Sequence, residues 1–172
     1  MEQQQREKTK GIKLPEIIIE EELLKIIAIT KKKELAFYYA LGFYECMRVS
    51  EIKNLQVSDI DKGTKLIHIK QSKGHKDRNI PIAPEVFNGF KFLPVKFSVR
   101  TLERNFKKDC KKVTGKDLHF HSLRHSGITH YLVKKKWSSL EVQRLAGHSR
   151  IATTQIYTHI NPQDLVNRMW DD

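Results

Sequence analysis

The sequence predicts a mainly α-helical domain with a small three-stranded antiparallel β-sheet, an α+β fold. Three observations support this fold class. Apolar residues recur at helical spacing on both sides of residues 57–82, whereas within that range apolar and polar residues alternate as they do in strands. Glycine, proline and serine residues divide these segments at positions typical of turns and helix caps. With 172 residues, the chain suits one domain with a substantial hydrophobic core.

The N-terminal part is predicted to contain a short lead-in followed by two helices. Residues 1–14 are polar and charged without periodicity, so we expect a flexible lead-in or the remnant of a linker, and we assign 15–172 to the folded domain. Apolar residues at helical spacing predict one helix over Glu20–Thr30, where an acidic first turn suits the helix dipole, and a second over Lys33–Cys46. Arg48 follows directly after the second helix.

Three strands are predicted, at Val57–Ile60, Lys65–Gln71 and Arg78–Ile82. Two turn segments separate them, Asp61–Gly63 and Lys73–Lys76. Because connections this short join antiparallel neighbours, we expect a small antiparallel sheet at the edge of the domain.

Five further helices are expected downstream of the sheet. Ser98 and Gly115 are typical of an N-cap and a C-cap, Ser138 or Ser139 is expected to cap a later helix, and Gly147 to end that helix in the left-handed conformation. The last helix has a large apolar face, which we expect to dock on its own domain or into a neighbouring subunit. The five helices are predicted at Pro84–Phe92, Ser98–Thr114, His121–Val133, Leu140–Leu145 and Gln163–Trp170.

Composition favours a polyanionic partner. Lys plus Arg is 32 against 20 for Asp plus Glu, a formal net charge of +12, and binding to a polyanion gains from the release of counterions. Charge alone does not separate DNA from RNA or from an anionic membrane surface. Because the sequence has no long apolar run and no signal-peptide pattern, we expect a soluble, cytoplasmic protein without a membrane partner. Cys46 and Cys110 lack metal-ligand spacing and imply no disulfide framework.

Residues 119–159 contain a spaced set of groups suited to a phosphate. His121 and Arg124 are three residues apart, which places them on one face of a helix. Arginine presents a planar, charged fork of donors that matches two phosphate oxygens, whereas histidine exchanges its proton near neutral pH. Tyr157 supplies a hydroxyl that becomes a nucleophile if a nearby group accepts its proton. The histidines of this stretch have no Cys or carboxylate at a recognised ligand spacing, so no metal site is predicted.

Five segments, in this order, resemble the sequence boxes of the tyrosine recombinases and phage-type integrases. Tyr44–Ile52 (YECMRVSEI) looks like the first arginine box, and Lys70–Ile82 (KQSKGHKDRNIPI) is similar to the lysine-bearing β-hairpin. His121–His125 (HSLRH) resembles the second arginine box, Gly147–Ser149 (GHS) the third box, and Thr153–His159 (TTQIYTH) the segment of the nucleophile. The resemblance implies the family's catalytic-domain fold. It also implies cleavage and rejoining of DNA through a 3′-phosphotyrosyl intermediate, without a cofactor or metal.

The resemblance also implies a role for each matching side chain. Arg48 and Arg124 are expected to hold the non-bridging oxygens of the scissile phosphate and to stabilise the transition state. Tyr157 is expected to attack the phosphorus. His121 is the candidate acceptor of the Tyr157 proton, and His148 is a further donor to the phosphate.

Other polar residues are expected to assist this chemistry. Lys73 is expected to protonate the leaving oxygen from a mobile hairpin, with Lys76 as the alternative if the hairpin register differs. Glu51 is expected to orient the first arginine if Ser50 opens the next helix, and His125 to support the site. Four basic residues are expected to contact the DNA backbone: Lys76, Arg78, Arg100 and Arg104. For the basic helix that carries the last two, an ordinary solvated face is an equal alternative.

Two features depart from the family pattern. Cys46 stands where a glycine is usual, so a positive φ at this position would strain the backbone. The family carries a second, N-terminal DNA-clamping domain, for which this chain has no room, so we expect a catalytic fragment or a minimal form.

The sequence is compatible with three functions. An integrase or Xer-like site-specific recombinase comes first, with cellular, viral or plasmid origins all open. Its expected partners are double-stranded DNA and further copies of the chain, a tetramer at synapsis joined through the C-terminal helix 162–170. The alternatives are a type IB topoisomerase-like enzyme that nicks and religates DNA, and a DNA-binding module without chemistry.

Overall fold

The computed structural model describes residues 16–70, 77–147, 166–167 and 169–170. Within this part, the fold is mainly helical with a small three-stranded sheet, which confirms the predicted class. The helices are α1 (Glu20–Ile29), α2 (Lys33–Tyr44), α3 (Val49–Asn54), α4 (Val99–Thr114), α5 (His121–Thr129) and α6 (Ser139–Ala146). The strands are β1 (Ile60–Asp61), β2 (Leu66–Ile69) and β3 (Arg78–Pro81).

Helix α2 forms the centre of the domain. It is buried continuously from Phe37 to Tyr44, so it has no solvent face over this length. The Tyr39 ring meets the rings of Phe106 on α4 and Phe120 before α5 edge to face, with centroids 5.3 and 6.0 Å apart. Aromatic burial therefore fixes α4 and α5 against α2.

The approach of α5 to α2 depends on Gly127. A Cβ atom placed on Gly127 would lie 1.9 Å from the carbonyl oxygen of Phe43, far inside van der Waals contact. Only a residue without a side chain lets the two backbones come this close. The close approach sets the position of Arg124, one turn earlier on α5, relative to the end of α2.

The sheet is antiparallel with strand order β1-β2-β3, as predicted. Ile67 pairs with Ile80, and both side chains are buried in the core, as is Ile69. The first predicted strand is wrong in detail, because Val57–Asp59 forms a 3₁₀ turn and β1 starts only at Ile60. The Asp59 carboxylate accepts the backbone N–H of Gln56 at 3.0 Å, and this side-chain bond stabilises a turn instead of a ladder.

Helices α4 and α6 are capped as the sequence predicts. The Ser98 hydroxyl accepts the N–H of Thr101, and Gly115 ends α4 with a φ of 74°. Ser138 caps α6, and Gly147 ends it with a φ of 68°. The segment Pro84–Phe92 is not one helix but two short 3₁₀ turns, Pro84–Val86 and Gly89–Phe92, separated by Phe87 and the poor helix former Asn88.

The helix predicted over His121–Val133 changes character near its end. It is α-helical to Thr129 and continues as one π-helical turn, His130–Lys134, closed by the bond from the Lys135 N–H to the His130 carbonyl. The Tyr131 hydroxyl in this turn donates to the Tyr44 carbonyl at 2.8 Å. The turn is thereby bonded to the C-terminal end of α2.

The described residues near the C-terminus, 166–167 and 169–170, pack on the chain's own domain. Met169 and Val166 are buried, and the indole N–H of Trp170 donates to the Ile82 carbonyl at 2.8 Å. The Trp170 ring meets Phe87 edge to face, and the ammonium of Lys65 lies 3.7 Å from its centroid. No helix in the described ranges is long and apolar enough to cross a bilayer.

Candidate active site

Arg124 is the most deeply buried cation of the candidate site. Its side chain projects from α5 towards the end of α2, where Nη1 donates to the carbonyl oxygen of Cys46, 78 residues away in the sequence. Nη2 has no hydrogen-bond partner among the described residues. A buried guanidinium with an unpaired N–H donor is suited to bind an anionic oxygen.

The turn at Cys46 presents the carbonyl that Arg124 uses. Cys46 has a φ of 49°, a left-handed conformation that costs a residue with a Cβ about 1–2 kcal/mol. The position at which the family usually has a glycine therefore has a positive φ, and a cysteine occupies it under strain. Burial raises the pKa of the Cys46 thiol, so the thiol stays neutral and acts only in packing.

Arg48 lies at the start of α3. Its backbone N–H donates to Oε2 of Glu51 at 2.8 Å, and its Nη1 donates to Oε1 at 2.9 Å. Nη2 donates to the Gly147 carbonyl at 3.2 Å, and the side chain remains 35% exposed. The expectation that Ser50 opens this helix is wrong, because α3 begins at Val49 with Arg48 as its N-cap. Glu51 still holds the arginine, from the third helical position.

Glu51 is shared between two arginines. Arg78, the first residue of β3, donates from Nη1 to Oε1 at 2.9 Å and from Nη2 to Oε2 at 3.2 Å. Burial alone would raise the pKa of Glu51, whose side chain is 8% exposed, but the hydrogen bond and charge of Arg78, with a smaller effect from Arg48, lower the pKa overall. Glu51 is therefore a carboxylate at neutral pH.

Arg78 belongs to this cluster rather than to an open surface. Its side chain is only 13% exposed, and both of its Nη atoms are bonded to Glu51. Its guanidinium also lies against Gly147, where a Cβ would fall 2.6 Å from the arginine Cζ. The sequence predicts Arg78 as a DNA contact and carries no signal for its contact with Glu51.

His121 lies at the first position of α5, one turn before Arg124, and is exposed. Its ring is T-shaped against His125, with centroids 4.6 Å apart. Partial burial lowers the pKa of His121, and the nearby His125 and the charges of Arg124 and Arg48 lower it further. A neutral imidazole at pH 7 is able to accept a proton.

The cationic groups interact electrostatically. Burial and repulsion from Arg48 lower the pKa of Arg124 to about 10, which leaves the guanidinium protonated at neutral pH. Arg48, Arg78 and Arg124 carry three positive charges around the single negative charge of Glu51. The surplus favours an anion of one to two charges, which is the charge of a phosphodiester and of its transition state.

Four predicted site residues lie outside the described residues: Lys73, Lys76, His148 and Tyr157. Their roles stay predictions. Two of their described neighbours lie in the arginine cluster, Gly147 directly before His148 and Arg78 shortly after Lys76.

Two of the predicted DNA contacts, Arg100 and Arg104, belong to α4. Arg100 and Arg104 are exposed, while Leu102 and Phe106 on the same helix are buried. Their contact with DNA stays a prediction. Among the described residues, no group of three or more His, Cys, Asp or Glu side chains is arranged to hold a metal ion.

Two contributors to the site were not predicted, the carbonyl groups of Cys46 and Gly147. The type of a residue does not indicate whether its backbone carbonyl accepts a hydrogen bond from a distant side chain. The only sequence cue was indirect, since both positions favour glycine and a left-handed turn directs its carbonyl differently from a helix.

Comparison with known proteins identifies similar chains. The sequence matches the family described as the phage integrase family over residues 16–93 and 90–164. A tyrosine recombinase of Thermosipho africanus is 32% identical over 173 aligned positions, and the alignment covers 88% of this chain and 60% of that protein. This chain thus spans about 60% of that relative's length.

Solved structures show the same fold. The crystal structure of XerA recombinase superimposes with a TM-score of 0.71 at 27% identity, covering 92% of this chain and 63% of that chain. A lambda integrase tetramer bound to a Holliday junction has a TM-score of 0.61 at 22% identity, covering 82% of this chain and 50% of that chain. The second likeness, at this identity, shows the fold alone.

Proposed function

This chain belongs to the phage integrase family of tyrosine recombinases, and from that premise we propose that it acts as the catalytic domain of a site-specific DNA recombinase. It cleaves and rejoins double-stranded DNA through a 3′-phosphotyrosyl intermediate. The observation that carries the proposal is the convergence of two sequence-distant arginine boxes. Arg124 bonds to the Cys46 carbonyl, two residues before Arg48, and the charge of Arg48 lowers the pKa of Arg124.

The two arginines have different parts in binding the scissile phosphate. Burial holds the Arg124 side chain rigidly. Its Nη2, which has no hydrogen-bond partner among the described residues, is suited to bind one non-bridging oxygen. Arg48 is partly exposed and is oriented by Glu51, which suits the second oxygen. Charge grows on these oxygens as the fifth bond to phosphorus forms, and one well-placed donor is typically worth about 3–4 kcal/mol in such a transition state.

Proton transfer completes each strand cleavage. The phenol oxygen of Tyr157 forms a bond to phosphorus while its proton passes to His121, whose lowered pKa keeps the imidazole neutral and ready to accept it. The bond between phosphorus and the 5′ oxygen breaks, and Lys73 gives that oxygen a proton. The products are a 3′-phosphotyrosyl ester and a free 5′-hydroxyl.

Rejoining runs these steps in reverse. A 5′-hydroxyl attacks the phosphotyrosyl phosphorus, its proton returns to Lys73, and the phenol leaves with a proton from His121. The ester preserves the energy of the phosphodiester bond, so no nucleotide hydrolysis is required. Attack by the 5′-hydroxyl of a different duplex yields recombination, and attack by the original strand restores the substrate.

Exchange between two duplexes requires several copies of the chain. We expect four copies at synapsis, as in the lambda integrase structure that is a tetramer on a Holliday junction. The C-terminal helix 162–170 then joins neighbours by exchanging the contacts that Trp170 makes with Ile82 and Phe87 of its own chain for the same contacts in the next copy. We place the reaction inside the cell, where DNA is found. The net charge of +12 favours DNA binding that weakens steeply with salt.

Covalent capture tests the proposal. The chain is incubated with a pool of nicked duplexes that have a randomised centre, and DNA that stays with the protein in boiling detergent is sequenced. Wild type should retain DNA, and Tyr157→Phe should retain none. A second labelled duplex carrying the captured sequence should then be joined to the first. A wild type that binds DNA but retains none would refute the proposal in favour of a binding module.

A further inference from the structure

Arg78 joins three parts of the site. It begins β3, directly after the segment that contains Lys73, and its guanidinium contacts Glu51 of α3 and the Gly147 turn that ends α6. The start of β3, the first turn of α3 and the end of α6 therefore meet at this side chain.

The contact with Glu51 is the stronger restraint. Arg78 forms two parallel N–H···O bonds of 2.9 and 3.2 Å to the two carboxylate oxygens, a bidentate geometry that fixes the plane of the carboxylate. Both side chains are largely shielded from water, at 13% and 8% exposure, so solvent screens the pair weakly. Glu51 in turn receives Nη1 and the backbone N–H of Arg48.

The contact with Gly147 is steric. Gly147 has a φ of 68°, and a Cβ on it would lie 2.6 Å from both Cζ and Nε of Arg78. The carbonyl of the same glycine accepts a bond from Nη2 of Arg48. The Arg78 side chain therefore packs under the turn that leads to His148.

Charge explains why the contact matters for catalysis. Without Arg78, the Glu51 carboxylate would be balanced by Arg48 alone, and that ion pair would compete with the phosphate for the Arg48 guanidinium. With Arg78 present, the Arg78 guanidinium balances the charge of the Glu51 carboxylate. Arg48 then donates to Glu51 with only one of its two Nη groups, Nη1. The positive charge of Arg48 is then available to the phosphate.

We infer that Arg78 is a positioning residue that acts through Glu51 to present Arg48 to the scissile phosphate, rather than a DNA contact. The inference rests on the proposed function for the reaction, but it concerns the arginine cluster of this chain. Two observations separate it from a direct DNA role: the side chain is largely buried, and both Nη atoms are bonded to Glu51.

A double-mutant cycle tests the inference with Arg78→Gln, Glu51→Gln and the double variant. Two quantities are measured: the single-turnover rate of adduct formation on captured DNA, and the affinity for vanadate, a phosphate mimic whose binding requires no cleavage. Arg78→Gln should slow adduct formation roughly 100-fold, the effect typical of a misplaced catalytic group. It should weaken vanadate binding about 10-fold, the loss of one charge-assisted hydrogen bond.

The double variant shows whether Arg78 acts through Glu51. If Arg78 acts through Glu51, the double variant should match Glu51→Gln within about threefold in both measurements, because its partner is already gone. It should also fold even if Arg78→Gln does not, since both buried charges are removed together. Arg78→Lys, which keeps the charge but not the planar fork, should restore only part of the activity.

Lys33→Gln is the matched control for lost charge. Lys33 is exposed at the start of α2, and the 12 residues of that helix place it roughly 18 Å from the end that leads to Arg48. This variant should keep the wild-type rate and vanadate affinity.

Two results would overturn the inference. One is that losses from Arg78→Gln and Glu51→Gln multiply in the double variant. The other is that Arg78→Gln weakens DNA binding and reduces its salt dependence by about one phosphate contact, while bound DNA is cleaved at the wild-type rate. A wild type that forms no adduct would refute the proposed function instead, and vanadate binding would still decide the part played by Arg78.

Discussion

Substituting Gly127 by alanine should separate the two helices that hold the arginine boxes together. The new Cβ would lie 1.9 Å from the Phe43 carbonyl oxygen and 3.0 Å from Sγ of Cys46. A carbon atom normally stays about 3.3 Å or more from a carbonyl oxygen, so α5 must move by more than about 1 Å. Neither neighbour relieves the clash easily, because the nearest atom is backbone.

The magnitude follows from two contributions. Overpacking of a buried helix contact costs about 1–3 kcal/mol. The same displacement breaks the bond from Arg124 to the Cys46 carbonyl, because Arg124 and Cys46 are each three residues from the contact between Gly127 and Phe43. A buried charged donor without its partner costs about 1.5–3 kcal/mol. We therefore expect a loss of about 3–5 kcal/mol in the free energy of unfolding, or roughly 10–15 °C in melting temperature.

Urea and thermal unfolding followed by circular dichroism measure this loss, and Gly63→Ala is the matched control. Gly63 is exposed in the β1–β2 turn, its φ is not positive, and a Cβ there would approach only the Asp61 carboxylate, at 3.3 Å. The control should stay within about 0.5 kcal/mol of wild type. If Gly127→Ala proved equally mild, the close approach of α2 and α5 would not determine the position of Arg124.

Three further outcomes are expected. Lys73→Ala should fail to cleave ordinary DNA but cleave DNA with sulfur in place of the bridging 5′ oxygen, because a thiolate leaves without a proton. The single-turnover rate should stay constant down to pH values below 6.5 and then fall, because the lowered pKa keeps His121 neutral there. Cys46→Gly should remain within about 1 kcal/mol of wild type in urea unfolding, because relief of the positive φ offsets lost burial, whereas branched Cys46→Val should lose more than about 2 kcal/mol.

Each outcome has a result that contradicts it. If Lys73→Ala were inactive on both substrates, the lysine would not be the acid for the leaving oxygen. A rate that already falls well above pH 6.5 would point to a base with an ordinary or raised pKa. Equal stability of the two Cys46 variants would show that the left-handed turn carries no strain.

The pKa shift of His121 also affects stability, and its sign is defined. The folded pKa lies below the unfolded value, so the unfolded chain binds more protons at acid pH. This histidine therefore reduces the stability of the fold as the pH falls through its unfolded pKa, near 6.5. Glu51 has a lowered folded pKa, so its contribution to stability is present above the unfolded value of 4.5 and is lost as the pH falls through the folded pKa.

Local signals predicted most of the elements correctly. Ser98, Ser138 and Gly147 cap the helices that their positions indicated, because a cap depends on hydrogen bonds within one turn of the chain. Two segments were misassigned, Val57–Asp59 and Pro84–Phe92, both of which form 3₁₀ turns. In such short segments, a single side-chain bond or a weak helix former outweighs the apolar pattern.

The sequence by itself determined the fold class, the caps and the residue types suited to a phosphate. These properties depend on residues only a few positions apart, and the spacing of the boxes carried the family resemblance. Only the tertiary structure decided which groups pair: Arg78 with Glu51, 27 residues away, and Arg124 with the carbonyl of Cys46, 78 residues away. The physical reason is that a cation accepts any well-placed oxygen, and which oxygen lies within reach is determined by helix packing, here by the contact at Gly127.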